Sequence, residues 1–354
     1  SFYRNLLKPY THQFANQCYR MDIYPMAVMF FLYKKNVLTW PEKNFKLENI
    51  NAANKLISGR SHHAMVDVEV TLELARRLQT EHDMWEYLHG YFQKETDSAR
   101  MQQAQNEIAL CINGKMGSDA NYQCAVVFLG NHHHYKNQSI WLRLDNIDFR
   151  EITTDTIAEK TWGISKKPGE PNFILPCKPR FMQHMQPDRL QLAEKNRQWL
   201  LDHSDMFNEI KQHHLNFKYP EFPQADSDSR LYISGFFTNE ENFFCQRFHS
   251  ANLKTKIKML QETDNPRLKI PALRIIGRQD ASLLSAKDAE EFADYLRRVM
   301  NPSEEETLID FQGKKRMTPK MALQEIATIR TERVLDVADS KLLDEFETYL
   351  HTKT

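Results

Sequence analysis

Ser61-His62-His63-Ala64-Met65-Val66-Asp67 opens a stretch that continues Val68-Glu69-Val70-Thr71-Leu72-Glu73-Leu74-Ala75. Apolar residues recur there at helical spacing. A serine before such a pattern is a favoured helix cap, so the spacing predicts a helix over 61–80. On a continuous helix, His62 and Asp67 fall on different faces, whereas His63 and Asp67, one turn apart, share a face. If His62 works with Asp67, it sits at or before the helix start and leans back towards it. The competing reading is an ordinary His63–Asp67 helix pair with His62 as a loop residue.

The chemistry at stake is metal-dependent hydrolysis of a phosphodiester. It needs carboxylates to hold two divalent ions about 4 Å apart, and a base to take a proton from water. Histidine suits the base because its pKa lies near neutrality. His62 and Asp67 are one half of such a site. The other half does not appear in the chain, which suggests a nuclease whose first catalytic segment has been cut away. The abrupt start at Ser1-Phe2-Tyr3-Arg4-Asn5, without methionine, fits that expectation.

The 354 residues suffice for two or three domains. With 41% hydrophobic and 27% charged residues, the composition is that of a soluble protein. No apolar run approaches the roughly 20 residues that span a bilayer, and no charged-then-apolar leader is present, so neither membrane nor secretion is expected. The 5 cysteines are scattered, with no Cys-x-x-Cys pair, which points away from structural zinc and towards reduced thiols in the cytoplasm. Lys+Arg and Asp+Glu both number 47, so net charge is zero. That excludes a tail-driven nucleic-acid binder but not a local basic channel. Lys34-Lys35, Lys166-Lys167, Lys178 with Arg180, and Lys254 to Lys258 are the basic clusters; each taken singly reads as a solvated face.

Residues 1–83 read as helices, with Met21–Lys35 apolar on most sides and Phe45–Leu56 amphipathic. From 84 to 228 the character changes. Ile108–Ile112, then Cys124–Leu129 and Ser139–Leu144 as a hairpin, and Phe173–Cys177 read as strands, with a helix near Asp188–Leu201. Pro220–Asp228 is the linker candidate, and the rest reads as helical. His132-His133-His134 tempts as a metal site. Adjacent histidines in an extended chain alternate sides, however, so an exposed hairpin tip is the expectation. Tyr10 and Phe14 are spaced for base stacking or for a core helix face.

Taken in order, several motifs resemble the bacterial exonuclease I family, processive 3′→5′ exonucleases of single-stranded DNA in the histidine branch of the DEDD superfamily. They are Phe2-Tyr3-Arg4-Asn5, Pro9-Tyr10, Trp40-Pro41-Glu42, Phe45-Lys46-Leu47-Glu48, His62-x-Ala64-Met65-x-Asp67-Val68, Leu231-Tyr232 and Gly235-Phe236-Phe237. The resemblance runs from end to end and is loosest in the middle. It implies an α+β chain: residues 1–83 as the C-terminal part of a ribonuclease H-like exonuclease domain, 84–228 as an SH3-like β-barrel domain, and 229–354 as a C-terminal helical domain.

The resemblance implies His62 as the general base and Asp67 as a metal ligand. Lys46 stands where the family has a substrate-contacting arginine, keeping the charge but losing the bidentate fork. Tyr10 and Phe14 match aromatic positions facing DNA, with Phe14 replacing a tryptophan. Arg60 is placed to reach a phosphate. Lys34 matches a basic residue that holds DNA or the acidic C-terminal tail of single-strand-binding protein. Two Mg²⁺ ions, with Mn²⁺ as a substitute, a monomeric state, and roles in DNA repair and recombination come with the family. Its Asp-x-Glu pair and a further aspartate should precede Phe2. One carboxylate cannot hold two ions, so the chain as given is expected not to cleave DNA. The alternative is a catalytically dead module that binds single-stranded DNA or single-strand-binding protein.

Overall fold

The computed structural model describes residues 2–7, 20–42, 44–59 and 63–352. The chain forms two compact units, one of residues 13–218 and one of residues 1–12 with 219–354. Among the described residues no helix is long and apolar enough to cross a membrane.

The first unit begins with α1 (Ile23–Tyr33), whose start is capped by Asp22 accepting from the Tyr24 N–H at 3.0 Å. Pro25 to Phe30 and Leu32 are all buried, as expected of a helix apolar on every side. It packs against α3 (Ala64–Gln79), which also contacts α2 (Leu47–Asn54) and α4 (His82–His89), and α5 (Lys94–Gln103) follows. In α3 the N-cap position belongs to His63, not to Ser61 as expected, and the His63 side chain makes no capping bond. Val70, Leu74 and Leu78 form the buried stripe of α3.

Five strands follow: β1 (Ala109–Ile112), β2 (Gln123–Asn131), β3 (Ser139–Arg143), β4 (Gly163–Lys166) and β5 (Phe173–Leu175). Their order is β4-β3-β2-β1-β5, and every pairing is antiparallel. A bulge between Phe128 and Gly130 breaks the β2–β3 register. One face carries Leu110, Ile112, Ala125 and Leu142 into the main core. The other carries Cys111, Cys124, Trp141, Ile164 and Ile174 into a smaller cluster with Met101 and Ala104 near the end of α5. Burial of both faces explains why these strands read as continuous apolar runs. The short helices α6 (Ile157–Lys160) and α7 (Pro179–Met182) precede α8 (Pro187–Asp202) and α9 (Ser204–Leu215).

The expected hairpin is present as β2–β3, and its tip is exposed as expected at His133 and His134 but not at His132. His132 is buried, and its Nδ1 accepts the N–H groups of His134 at 3.0 Å and Tyr135 at 3.3 Å. His133 and His134 are exposed. The imidazole of His132 thus closes the turn, which leaves it out of any shared metal site.

The second unit is helical: α10 (Leu231–Ser234), α11 (Asn239–Ser250), α12 (Leu253–Glu262), α13 (Pro266–Asp280), α14 (Ala286–Met300), α15 (Pro319–Glu332) and α16 (Val337–His351). A reciprocal capping box starts α11, Glu241 N–H to Thr238 Oγ1 at 3.2 Å and Thr238 N–H to Glu241 Oε2 at 2.8 Å. Phe237, Phe248, Leu268, Ile276 and Phe292 make its core, and Tyr3 and Leu6 complete it.

Candidate functional site

Asp67 lies in the first turn of α3, where the helix dipole favours negative charge. It is half-buried and continues the stripe of Val70 and Leu74 by one turn. Its backbone is locked: its N–H donates to the His63 carbonyl at 3.0 Å, and its carbonyl accepts from Thr71 Oγ1 at 2.7 Å. His63 is exposed. The chain approaching this turn is equally constrained. The Asn51 amide donates to the Ile57 carbonyl and accepts the Ile57 N–H, both at 3.0 Å. Gly59, at φ +150°, passes so close that a β-carbon there would stand 2.8 Å from Val66 Cγ2. The candidate base His62 and its neighbour Arg60 lie outside the described residues, as do Tyr10 and Phe14.

Lys34 and Lys46 belong to the same unit as Asp67, just after α1 and at the N-cap position of α2. Lys46 is exposed, and its backbone N–H donates to Asn44 Oδ1 at 3.0 Å. Lys34 has a partner that its sequence neighbours did not disclose: Nζ sits 2.9 Å from Glu81 Oε2, and the hydrogen bond to Glu81 raises its pKa. Both side chains of this pair are well exposed, so the pair is weak and an anionic ligand can compete for the lysine. Glu81 comes from just before α4, 47 positions downstream, which only tertiary packing brings near.

The Trp40-Pro41-Glu42 and Phe45 motif serves the core. Trp40, Phe31 and Phe45 pack ring to ring, with centroids 4.8–5.8 Å apart, and Phe45 stacks on Tyr122 at 4.7 Å. This cluster ties the loop before α2 to the chain entering β2. Sequence inspection also passed over the outer face of α3, where Met65, Val68 and Leu72 are 58%, 57% and 50% exposed. Their spacing was readable, but burial was needed to show that this stripe faces outward.

Among the described residues, no group of three or more His, Cys, Asp or Glu side chains is placed to hold a metal ion. Among the described residues Asp67 thus belongs to no such cluster, and these donors do not fit a pair of divalent ions.

Exodeoxyribonuclease I of Escherichia coli strain K12 is 25% identical over 297 residues, which cover 77% of this chain and 59% of that protein. Over that stretch the chain is an exodeoxyribonuclease I homologue. It spans about three fifths of the length of that curated relative. No family profile matches. The zinc-bound E. coli exonuclease I–single-stranded DNA complex is similar in structure, with a TM-score of 0.75 at 18% identity over 99% of this chain and 76% of that one. An SSB/exonuclease I structure with an inhibitor gives a TM-score of 0.74 at 17% identity, over 100% of this chain and 76% of that one. These likenesses show a mixed α/β fold shared with exonuclease I.

Proposed function

We propose that this chain is the greater part of a 3′→5′ exonuclease that degrades single-stranded DNA to nucleoside 5′-monophosphates. The observation that carries the reading is the exonuclease I likeness along nearly the whole chain, with Asp67 in the first turn of α3 directly after the His62-x-Ala64-Met65 motif. In this reading residues 1–83 belong to a ribonuclease H-like exonuclease domain, 84–228 to an SH3-like barrel domain and 229–354 to a helical domain. His62 takes the proton from the attacking water, and Asp67 is one ligand of the metal centre. Lys46 contacts substrate with Arg60, Tyr10 and Phe14. Lys34 exchanges Glu81 for DNA phosphate or for the acidic tail of a single-strand-binding protein. The solved relatives bound to single-stranded DNA and to SSB support these partners. Recognition by phosphates and stacking makes binding salt-sensitive and tolerant of sequence.

Mg²⁺, or Mn²⁺ in its place, is the ion this chemistry calls for. In this reading one carboxylate cannot hold two ions, so the chain by itself binds DNA without cutting it. Digestion of a 3′-labelled single strand with Mg²⁺ tests this, using this chain and a version extended upstream by a segment bearing Asp-x-Glu. The expected result is cleavage by the extended form alone, abolished by His62→Ala. No cleavage by either form, with binding intact, would overturn the enzyme reading and leave a DNA-binding module.

A further inference from the structure

Arg4 lies in the Phe2-Tyr3-Arg4-Asn5 motif, to which the proposed chemistry gives no task. In the structure this short segment is held in the helical unit. Tyr3 stacks on Phe237 at 5.0 Å, and His249 Nε2 donates to the Asn5 carbonyl at 2.9 Å. Arg4 Nε comes within 3.6 Å of Asp228 Oδ2.

Asp228 is the centre of a crowded charge cluster. It accepts from Arg274 Nη1 at 2.8 Å and from the Tyr295 hydroxyl at 3.0 Å, and Arg316 Nη1 approaches to 3.6 Å. Asp226 takes two bonds from Arg274, at 2.9 and 3.1 Å, with Arg316 at 3.8 Å. The pairing is unequal. Arg274 closes hydrogen bonds on both carboxylates. Arg4 and Arg316 stop outside hydrogen-bond reach, and Arg4 Nε is buried with no acceptor. Arg278 is exposed and donates to Asn5 Oδ1 at 3.3 Å. No ion pair among the described residues involves it. Desolvation of its partly covered guanidinium, then the nearby positive Arg4, lowers its pKa. Four guanidinium groups thus face two carboxylates, a surplus of two positive charges.

We propose that Arg4, Arg278 and Arg316 form a subsite for a phosphate-type oxyanion on the helical unit. Guanidinium forks match the oxygens of a phosphate in pairs. Asp228 draws Arg4 and Arg316 together before any ligand arrives, and Asn5, the residue next to Arg4, holds Arg278 beside them. An anion there supplies the missing counter-charge and an acceptor for the donors left open. One source is a phosphodiester of single-stranded DNA, and that version rests on the function proposed above. The other is free phosphate.

Two arms separate these sources. The first is fluorescence anisotropy of a 5′-labelled oligothymidylate with the full chain between 25 and 300 mM NaCl (chosen values, roughly spanning the range where counterion release dominates), for wild type and Arg278→Gln. The expected result is weaker binding and a salt slope shallower by about 0.7 for one lost contact. The second is thermal melting in inorganic phosphate against NaCl at matched ionic strength. Stabilisation by phosphate of the wild type but not of Arg278→Gln supports the subsite with free phosphate as a ligand. If the wild type fails to bind oligothymidylate while that phosphate effect persists, the DNA reading falls and the subsite stands. If Arg278→Gln matches the wild type in both arms, the subsite is overturned; equal phosphate stabilisation of both proteins would mark an adventitious ion only.

Discussion

His214 has its neutral form chosen by its surroundings. The Thr161 hydroxyl donates to the Ile157 carbonyl at 2.6 Å, so at 2.7 Å it accepts from His214 Nε2–H. The other ring nitrogen faces Gly163, where a β-carbon would stand only 2.7 Å from Nδ1. Burial, then neighbouring His213, depresses the pKa from 6.5 to about 4. The folded state therefore binds this proton less readily than the unfolded one. The associated stability is complete above about pH 6.5 and is lost as the pH falls through about 4. Urea unfolding at pH 7, 5.5 and 4 (trial conditions bracketing roughly the titration range) should show a loss about 2–3 kcal/mol larger for wild type than for His214→Gln. Equal losses would show that another group carries the acid sensitivity. None of this was visible in Gln212-His213-His214, because desolvation is set by what packs above the ring. His62-x-Ala64-Met65-x-Asp67 was legible as a candidate site because its residues are local. The Lys34–Glu81 pair, 47 positions apart, was not.

Helices and strands were read with unequal success, for identifiable reasons. The helix expected over 61–80 appears as α3, Ala64–Gln79, because its buried stripe repeats at helical spacing. The β2–β3 hairpin was legible as two apolar runs around a polar tip. β4 went unnoticed: Gly163-Ile164-Ser165-Lys166 has one strong apolar residue, and the ladder to β3 makes it a strand. Lys166 is fully buried there against Asp97 at 2.5 Å, with the Glu170 carbonyl at 2.6 Å. Burial raises the Asp97 pKa and lowers that of Lys166, against the pull of their own pairing. The α13–α14 contact makes a sharper test. A β-carbon at Gly277 would stand 2.7 Å from the Phe292 ring. Alanine gains about 1 kcal/mol in helix propensity, but overpacking costs about 1–3 kcal/mol. Gly277→Ala should therefore lower Tm by a few degrees, roughly 1 kcal/mol net. A higher Tm in calorimetry would mean that the two helices separate at little cost.

On the scale of the whole molecule, separate cores underlie the two compact units. Cys111 and Cys124 are buried in the first, face to face across β1 and β2, and Cys245 is buried in the second. Brief alkylation pulses along a urea gradient should expose Cys245 and the Cys111–Cys124 pair at different midpoints, with exposed Cys177 reacting throughout. A shared midpoint, read by mass spectrometry, would show that the units unfold as one.

Local information was enough for the helix carrying Asp67, for the hairpin, for the helical character after Pro220 and for the motifs that resemble exonuclease I. Each depends on residues within a few turns of one another, where periodicity and turn chemistry act directly. Tertiary structure alone decided that Tyr3 and Leu6 complete the core of the helical unit, that His132 closes a turn, and that Arg4 reaches Asp228. Those outcomes hang on burial and on charges brought together across hundreds of residues, and no periodicity in a linear chain records them.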